Sequence, residues 1–96
     1  MYEGKKCIVR CDRAGVFFAE VASRNGQEAE LRDARRLYYW AGATDCLQLA
    51  QEGVKKPDEC KFTISVPSII VTDVIEVIPC TPAAIESLDG VKVWKI

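Results

Sequence analysis

Histidine is missing altogether from these 96 residues. That removes the usual general base of nucleophilic triads and the commonest metal ligand. Cysteine occurs five times, at Cys7, Cys11, Cys46, Cys60 and Cys80, but no two form a CxxC pair. An odd number without that spacing, and without histidine, disfavours both a complete disulfide framework and a zinc site. The cysteines read instead as small core residues, with Cys7 and Cys11 on one face of a strand. No apolar run approaches the roughly 18 residues of a membrane span. MYEGKK leads straight into a strand rather than a long apolar segment, so neither a secretory leader nor membrane contact is expected, and the compartment reads as cytosolic. A net charge of −1 excludes the broad basic field needed to hold a long nucleic acid. A P-loop and an acidic metal cluster are also missing. No catalytic residue, metal or cofactor is assigned.

What the chain does have is concentrated in Leu31 to Ala43, LRDARRLYYWAGA, with three arginines, three consecutive aromatics and a glycine. On an extended strand Arg36, Tyr38 and Trp40 share one face, and Arg35, Leu37 and Tyr39 the other. Guanidinium and aromatic planes side by side suit a ligand with flat rings and negative charge.

The length fits one domain. Lys5 to Asp12 alternates as a first strand, Arg13-Ala14-Gly15 is a turn, and Val16 to Ser23 is a second strand. Asn25-Gly26 signals a type I′ hairpin, leading into a third strand at about Gln27 to Leu31. Asp33-Ala34 offers a bend or bulge before a fourth strand, Arg35 to Trp40; a helix over Ala29 to Trp40 is the competing reading. Thr44-Asp45 caps a short helix, CLQLAQEG, with Cys46, Leu49 and Ala50 on one side and Gly53 at its end. Val54 to Cys60 reads as a loop. Lys61 to Val66 reads as a strand stopped by Pro67, and Ile69 to Ile78 as a central strand bulged near Asp73. Pro79 closes it, and Thr81-Pro82 starts a second helix ended by Gly90. The tail VKVWKI is either an edge strand or a subunit contact. The fold class is therefore α+β: a small curled antiparallel or barrel-like sheet with two short helices, in a single domain spanning 1–96.

The pieces CIVRCDRAGVFFAEVASRNGQEAELRDARRLYYWAGA, LQLAQEG and VIEVIPCT resemble a family of small phage proteins. That family carries the pattern VRTYSAGV…SRNGKEV…ARRLWYW.GA…L..LA..G…IEIIPCT, matched over about nine tenths of the chain. It is in turn similar to the Thoeris anti-defence proteins, phage sponges that sequester cyclic ADP-ribose-type signals made by bacterial immune TIR enzymes. The resemblance implies a small α+β protein in the host bacterial cytoplasm. It further implies a ring-like homo-oligomer that holds ligand in pockets near subunit contacts. CDRAGV stands here where the pattern has TYSAGV, so a polar aromatic and a hydroxyl are missing from the first turn.

A cyclic nucleotide offers a purine to stack on and a pyrophosphate to neutralise. Tyr38 and Trp40 are the expected stacking platforms. Arg35, Arg36 and Arg13 are the expected phosphate ligands, since arginine's planar fork matches phosphate oxygens in pairs. Ala14 and Gly15 would let backbone N–H groups approach the ligand, and Phe17, just past the turn, joins the set. Each has a plainer alternative. Tyr38 to Trp40 would equally serve as core or interface, Arg35 and Arg36 would pair with Asp12, Glu30 or Asp33, and the RAG turn would be an ordinary hairpin. Trp94 reads as an anchor for the tail. Sequestration of a small nucleotide ranks first. A protein-inhibitor module of anti-CRISPR type is the alternative, and an enzyme cleaving a cyclic nucleotide comes third.

Overall fold

The computed structural model describes residues 4–96 as a six-stranded antiparallel sheet with two helices on one face. The strands are β1 (Lys6–Cys11), β2 (Val16–Asn25), β3 (Glu28–Tyr39), β4 (Lys61–Phe62), β5 (Val66–Val71) and β6 (Val74–Pro79). The helices are α1 (Cys46–Glu52) and α2 (Pro82–Asp89), and a single 3-10 turn, Pro57–Glu59, interrupts the loop after α1. β3 is the central long strand. It pairs with β2 along one edge and with β5 and then β4 along the other, while β1 lies between β2 and β6.

β5 and β6 thus occupy opposite edges of the sheet, yet only Thr72-Asp73 separates them in sequence. The sheet must therefore curl until its two edges nearly meet. Two bonds stitch that end together: Asp12 N–H donates to the Asp73 carbonyl at 2.9 Å, and Val74 N–H to the Gln27 carbonyl at 3.0 Å. The curl does not close into a barrel. Its concave side is filled by small and medium residues, including Cys7, Val9, Cys11, Ala19, Val21, Ala29 and Val74. The convex side carries Ile8, Phe18, Leu37 and Phe62, which pack against Leu49 and Ala50 of α1 and Leu88 of α2. Strand alternation in CIVRC accounts for the split, since Cys7, Val9 and Cys11 point inward and Ile8 outward.

The helix ends follow their capping residues. Asp45 accepts from Leu47 N–H and Gln48 N–H at the start of α1, and Gly53 ends it; Thr81 accepts from Ala84 N–H at the start of α2. The buried face of α1 is Cys46, Leu49 and Ala50, as its spacing implies. None of the described helices is long and apolar enough to cross a membrane.

Four local expectations need correction. The hairpin after β2 closes as Asn25 opposite Glu28, so its central residues are Gly26-Gln27. Only Gly26 has positive φ there, which is the II′ pattern rather than I′. The third and fourth strands are one strand, β3, and no helix forms there. The stretch from Ile69 to Ile78 is not a central strand, because Thr72-Asp73 turns it into two edge strands. The strand at Lys61 is two residues long, and Pro67 sits inside β5 rather than stopping a strand. Proline is tolerated there because β5 pairs along a single edge.

Asp33 makes β3 continuous by bulging it. Arg32 faces Glu20 and Arg35 faces Phe18, so three steps along β3 match two along β2. Asp33 takes φ of +48° and is held by Lys6, whose Nζ donates to its carboxylate at 2.7 Å and its carbonyl at 3.1 Å. The extra residue reverses the facing of everything after it. Leu31 points into the curl, but so does Ala34, which leaves Arg35 on the helix side and Arg36 on the concave side.

Candidate functional site

Arg35 is a structural residue. It is 7% exposed, and its Nε donates to the Thr63 carbonyl at 3.1 Å. Nη1 reaches the carbonyls of Val91 and Leu88 at 3.0 and 3.4 Å, and Nη2 that of Phe62 at 3.5 Å. The guanidinium also lies over the Phe62 ring, 5.2 Å from its centroid. Leu88 lies in the last turn of α2 and Val91 two residues beyond its end, and a cation at that end is favoured by the helix dipole. Burial lowers the Arg35 pKa from its ordinary value. Its donors are used internally, so it is not available as a phosphate ligand.

Arg36 is the opposite case. It is exposed, and its Nε donates to the Ala14 carbonyl at 3.0 Å. Its guanidinium carbon sits 4.8 Å from the centre of the Phe17 ring. Both Nη nitrogens are without a protein partner among the described residues. Gly15, at φ +100°, brings the β1–β2 turn against this side chain; a Cβ there would lie 3.7 Å from Arg36 Cδ and Nε. Thr63 fixes the backbone beneath it, accepting from Arg36 N–H at 2.9 Å and donating its own N–H to the Arg36 carbonyl at 3.0 Å.

A cavity of about 600 Å³ opens beside Arg36, bounded by Asp12, Arg13 and Ala14 on one side and by Ile69 to Asp73 on the other. A second hollow of about 210 Å³ shares Arg36 and Ile69 with it and adds Phe17, Ile64 and Val66. Arg13, Ala14, Gly15, Phe17 and Arg36 therefore come together, as the sequence reading has them. Tyr38 and Trp40 do not form a common platform with each other. Tyr38 stacks on Trp94, while Trp40, just past the end of β3, packs partly buried against the helix-side core.

Asp73 is the residue that the sequence reading undervalued. Its Oδ2 accepts from Arg13 N–H at 2.6 Å and Ala14 N–H at 3.0 Å. Those two amides are thus occupied by a carboxylate of the chain itself and are not open to ligand, which corrects the role expected for Ala14. The same bonds, Arg13 N–H first, hold the Asp73 pKa below the ordinary carboxylate value. The neighbouring Cys11 thiol is pushed up to about 11, chiefly by burial and then by the Asp73 charge. The one sequence signal of Asp73 was the break in alternation at Thr72-Asp73.

A carboxylate whose folded pKa is depressed contributes stability that is present above its unfolded pKa, near 3.9. That contribution is lost as pH falls through the folded value. Asp73→Asn is therefore expected to lower the melting temperature at pH 7, with the gap to wild type shrinking steadily below about pH 4. Melting curves of both proteins from pH 7 to pH 2 check this; a gap independent of pH would show that the charge plays no part.

Among the described residues, no group of three or more His, Cys, Asp or Glu gathers where it could hold a metal ion. The arrangement is that of a small α+β protein with an open, arginine-edged pocket at the mouth of a curled sheet. The chain belongs to the family described as a domain of unknown function, DUF6948, whose model matches residues 4–88. No curated protein and no solved structure matches the chain.

Proposed function

We propose that this chain is a phage counter-defence protein that binds and sequesters a small cyclic nucleotide signal of the cyclic ADP-ribose type, without cleaving it. The observation that carries the reading is Arg36. Its side chain is pinned by Ala14 and Phe17, and among the described residues its Nη donors have no partner beside a cavity of about 600 Å³ that Arg13 also lines. A fixed guanidinium fork is pre-organised for two phosphate oxygens and loses little entropy on binding. The cavity lies within the range used for small ligands, and Ile69 and Ile70 give it an apolar wall. Asp73, also on the wall, stays ionised, and its Oδ2 is turned onto the two backbone N–H groups of Arg13 and Ala14. Arg36, from the ARRLYYWAGA segment that resembles the small phage family, and Arg13-Ala14, in the turn that departs from that family's pattern, contribute residues on the other wall. Self-association belongs to the same reading, with Ile70 63% and Ile75 42% exposed on either side of Thr72-Asp73.

The test is to incubate the protein with cyclic ADP-ribose, remove free ligand, release bound material by heat and analyse it by chromatography. Recovery of the intact compound is the expected result. Recovery of an altered compound would make the protein an enzyme, and no depletion at all would favour the inhibitor reading, in which a host protein is the target.

A further inference from the structure

Tyr38 is a large aromatic residue next to the last position of the sheet's long strand, and it is 64% exposed. One side of its ring is covered by Trp94, with centroids 5.1 Å apart and planes 15° from parallel. Trp94 is itself fixed. Its N–H donates to the Phe62 carbonyl at 2.8 Å, and Val93 bridges to Phe62 beside it. Lys61 Nζ lies 5.4 Å from the indole centre. Tyr38 is thus a ring held in one orientation from behind, with an accessible face.

Tyr38 also lies two residues beyond Arg36 on the same strand, and alternation puts both on one face about 7 Å apart. A ribose spans about that distance between a base and its 5′ phosphate. Aromatic rings accept any nucleobase, because every base has a flat π face.

We propose that Tyr38, backed by Trp94, is the base-stacking subsite of the Arg36 pocket, so that the ligand class is a phosphorylated nucleoside with a flat heterocycle. This rests on the nucleotide-binding reading above. It adds the C-terminal tail to the site: Trp94 lies outside the residues matched by the family model and keeps the platform rigid. A rigid ring loses less entropy when it stacks than a free one.

The experiment measures binding of two probes by calorimetry: cyclic ADP-ribose, and inorganic pyrophosphate, which has no base. Tyr38→Ala and Trp94→Ala are expected to weaken cyclic ADP-ribose about tenfold or more, and Tyr38→Phe to restore most of it. Pyrophosphate binding should be unchanged in all three, and their melting temperatures establish that they fold. If Arg36→Ala abolishes cyclic ADP-ribose binding while Tyr38→Ala leaves it intact, the stacking subsite is wrong and the phosphate site stands. If the wild-type protein binds neither probe, the nucleotide reading fails and the subsite falls with it.

Discussion

Arg35→Ala is expected to destabilise the protein by about 3 kcal/mol or more, the largest loss of any single substitution considered. Four carbonyls, those of Phe62, Thr63, Leu88 and Val91, would each lose a donor. Phe62 and Leu88 keep bonds from Trp94 N–H and Val91 N–H, but Thr63 and Val91 are left without a donor among the described residues, and each buried unpaired carbonyl costs about 1–3 kcal/mol. The space left over the Phe62 ring adds to this. In a domain of this size such a loss lowers the melting temperature by roughly 12 °C or more, and it is a large share of a total stability of about 5–15 kcal/mol. Arg35→Lys should recover only part, because a single ammonium cannot reach carbonyls on β4, the following residue and the end of α2 together. Thermal melts of the two variants check this. A melting temperature within a few degrees of wild type for Arg35→Ala would show that these bonds exchange freely with water.

Arg36→Ala, one residue along, should behave the other way. The variant loses one exposed bond to Ala14 and a contact with Phe17, so its stability should fall by less than about 1 kcal/mol. Its affinity for cyclic ADP-ribose should fall by about 1.5–3 kcal/mol, the range for hydrogen bonds to a charged group, which is a loss of roughly ten- to a hundredfold. Paired titrations and melts of both arginine variants separate the two roles. A large drop in melting temperature with unchanged affinity would mark Arg36 as structural.

The opposite fates of these neighbours show what could be read from the chain and what could not. Alternation alone puts Arg35 and Arg36 on opposite faces, and that holds. Which one is buried depends on the extra residue at Asp33, whose position in the register requires knowing how β3 pairs with β2. The helices were legible because Asp45, Gly53, Thr81 and Gly90 act locally. The site's far wall was not. IIVTDVIEVI has the composition of one long strand, and only the curl of the whole sheet brings its ends to opposite edges and Asp73 onto the RAG turn. Trp40 left the expected face for a similar reason: β3 ends at Tyr39, so the strand period no longer governs it. Trp94 was read as a tail anchor, and its stacking on Tyr38 bears that out.

A ¹⁵N NMR titration of the uniformly labelled protein with cyclic ADP-ribose, following the Arg36 Nε–H resonance and the backbone amides, tests the Arg36 pocket directly. Ligand in the pocket should give saturable shifts at Arg36 Nε, Gly15 and residues 69 to 73, with Arg35 Nε unmoved because its donors are already held by carbonyls. Shifts confined to other surfaces, or a spectrum unchanged at millimolar ligand, would contradict it.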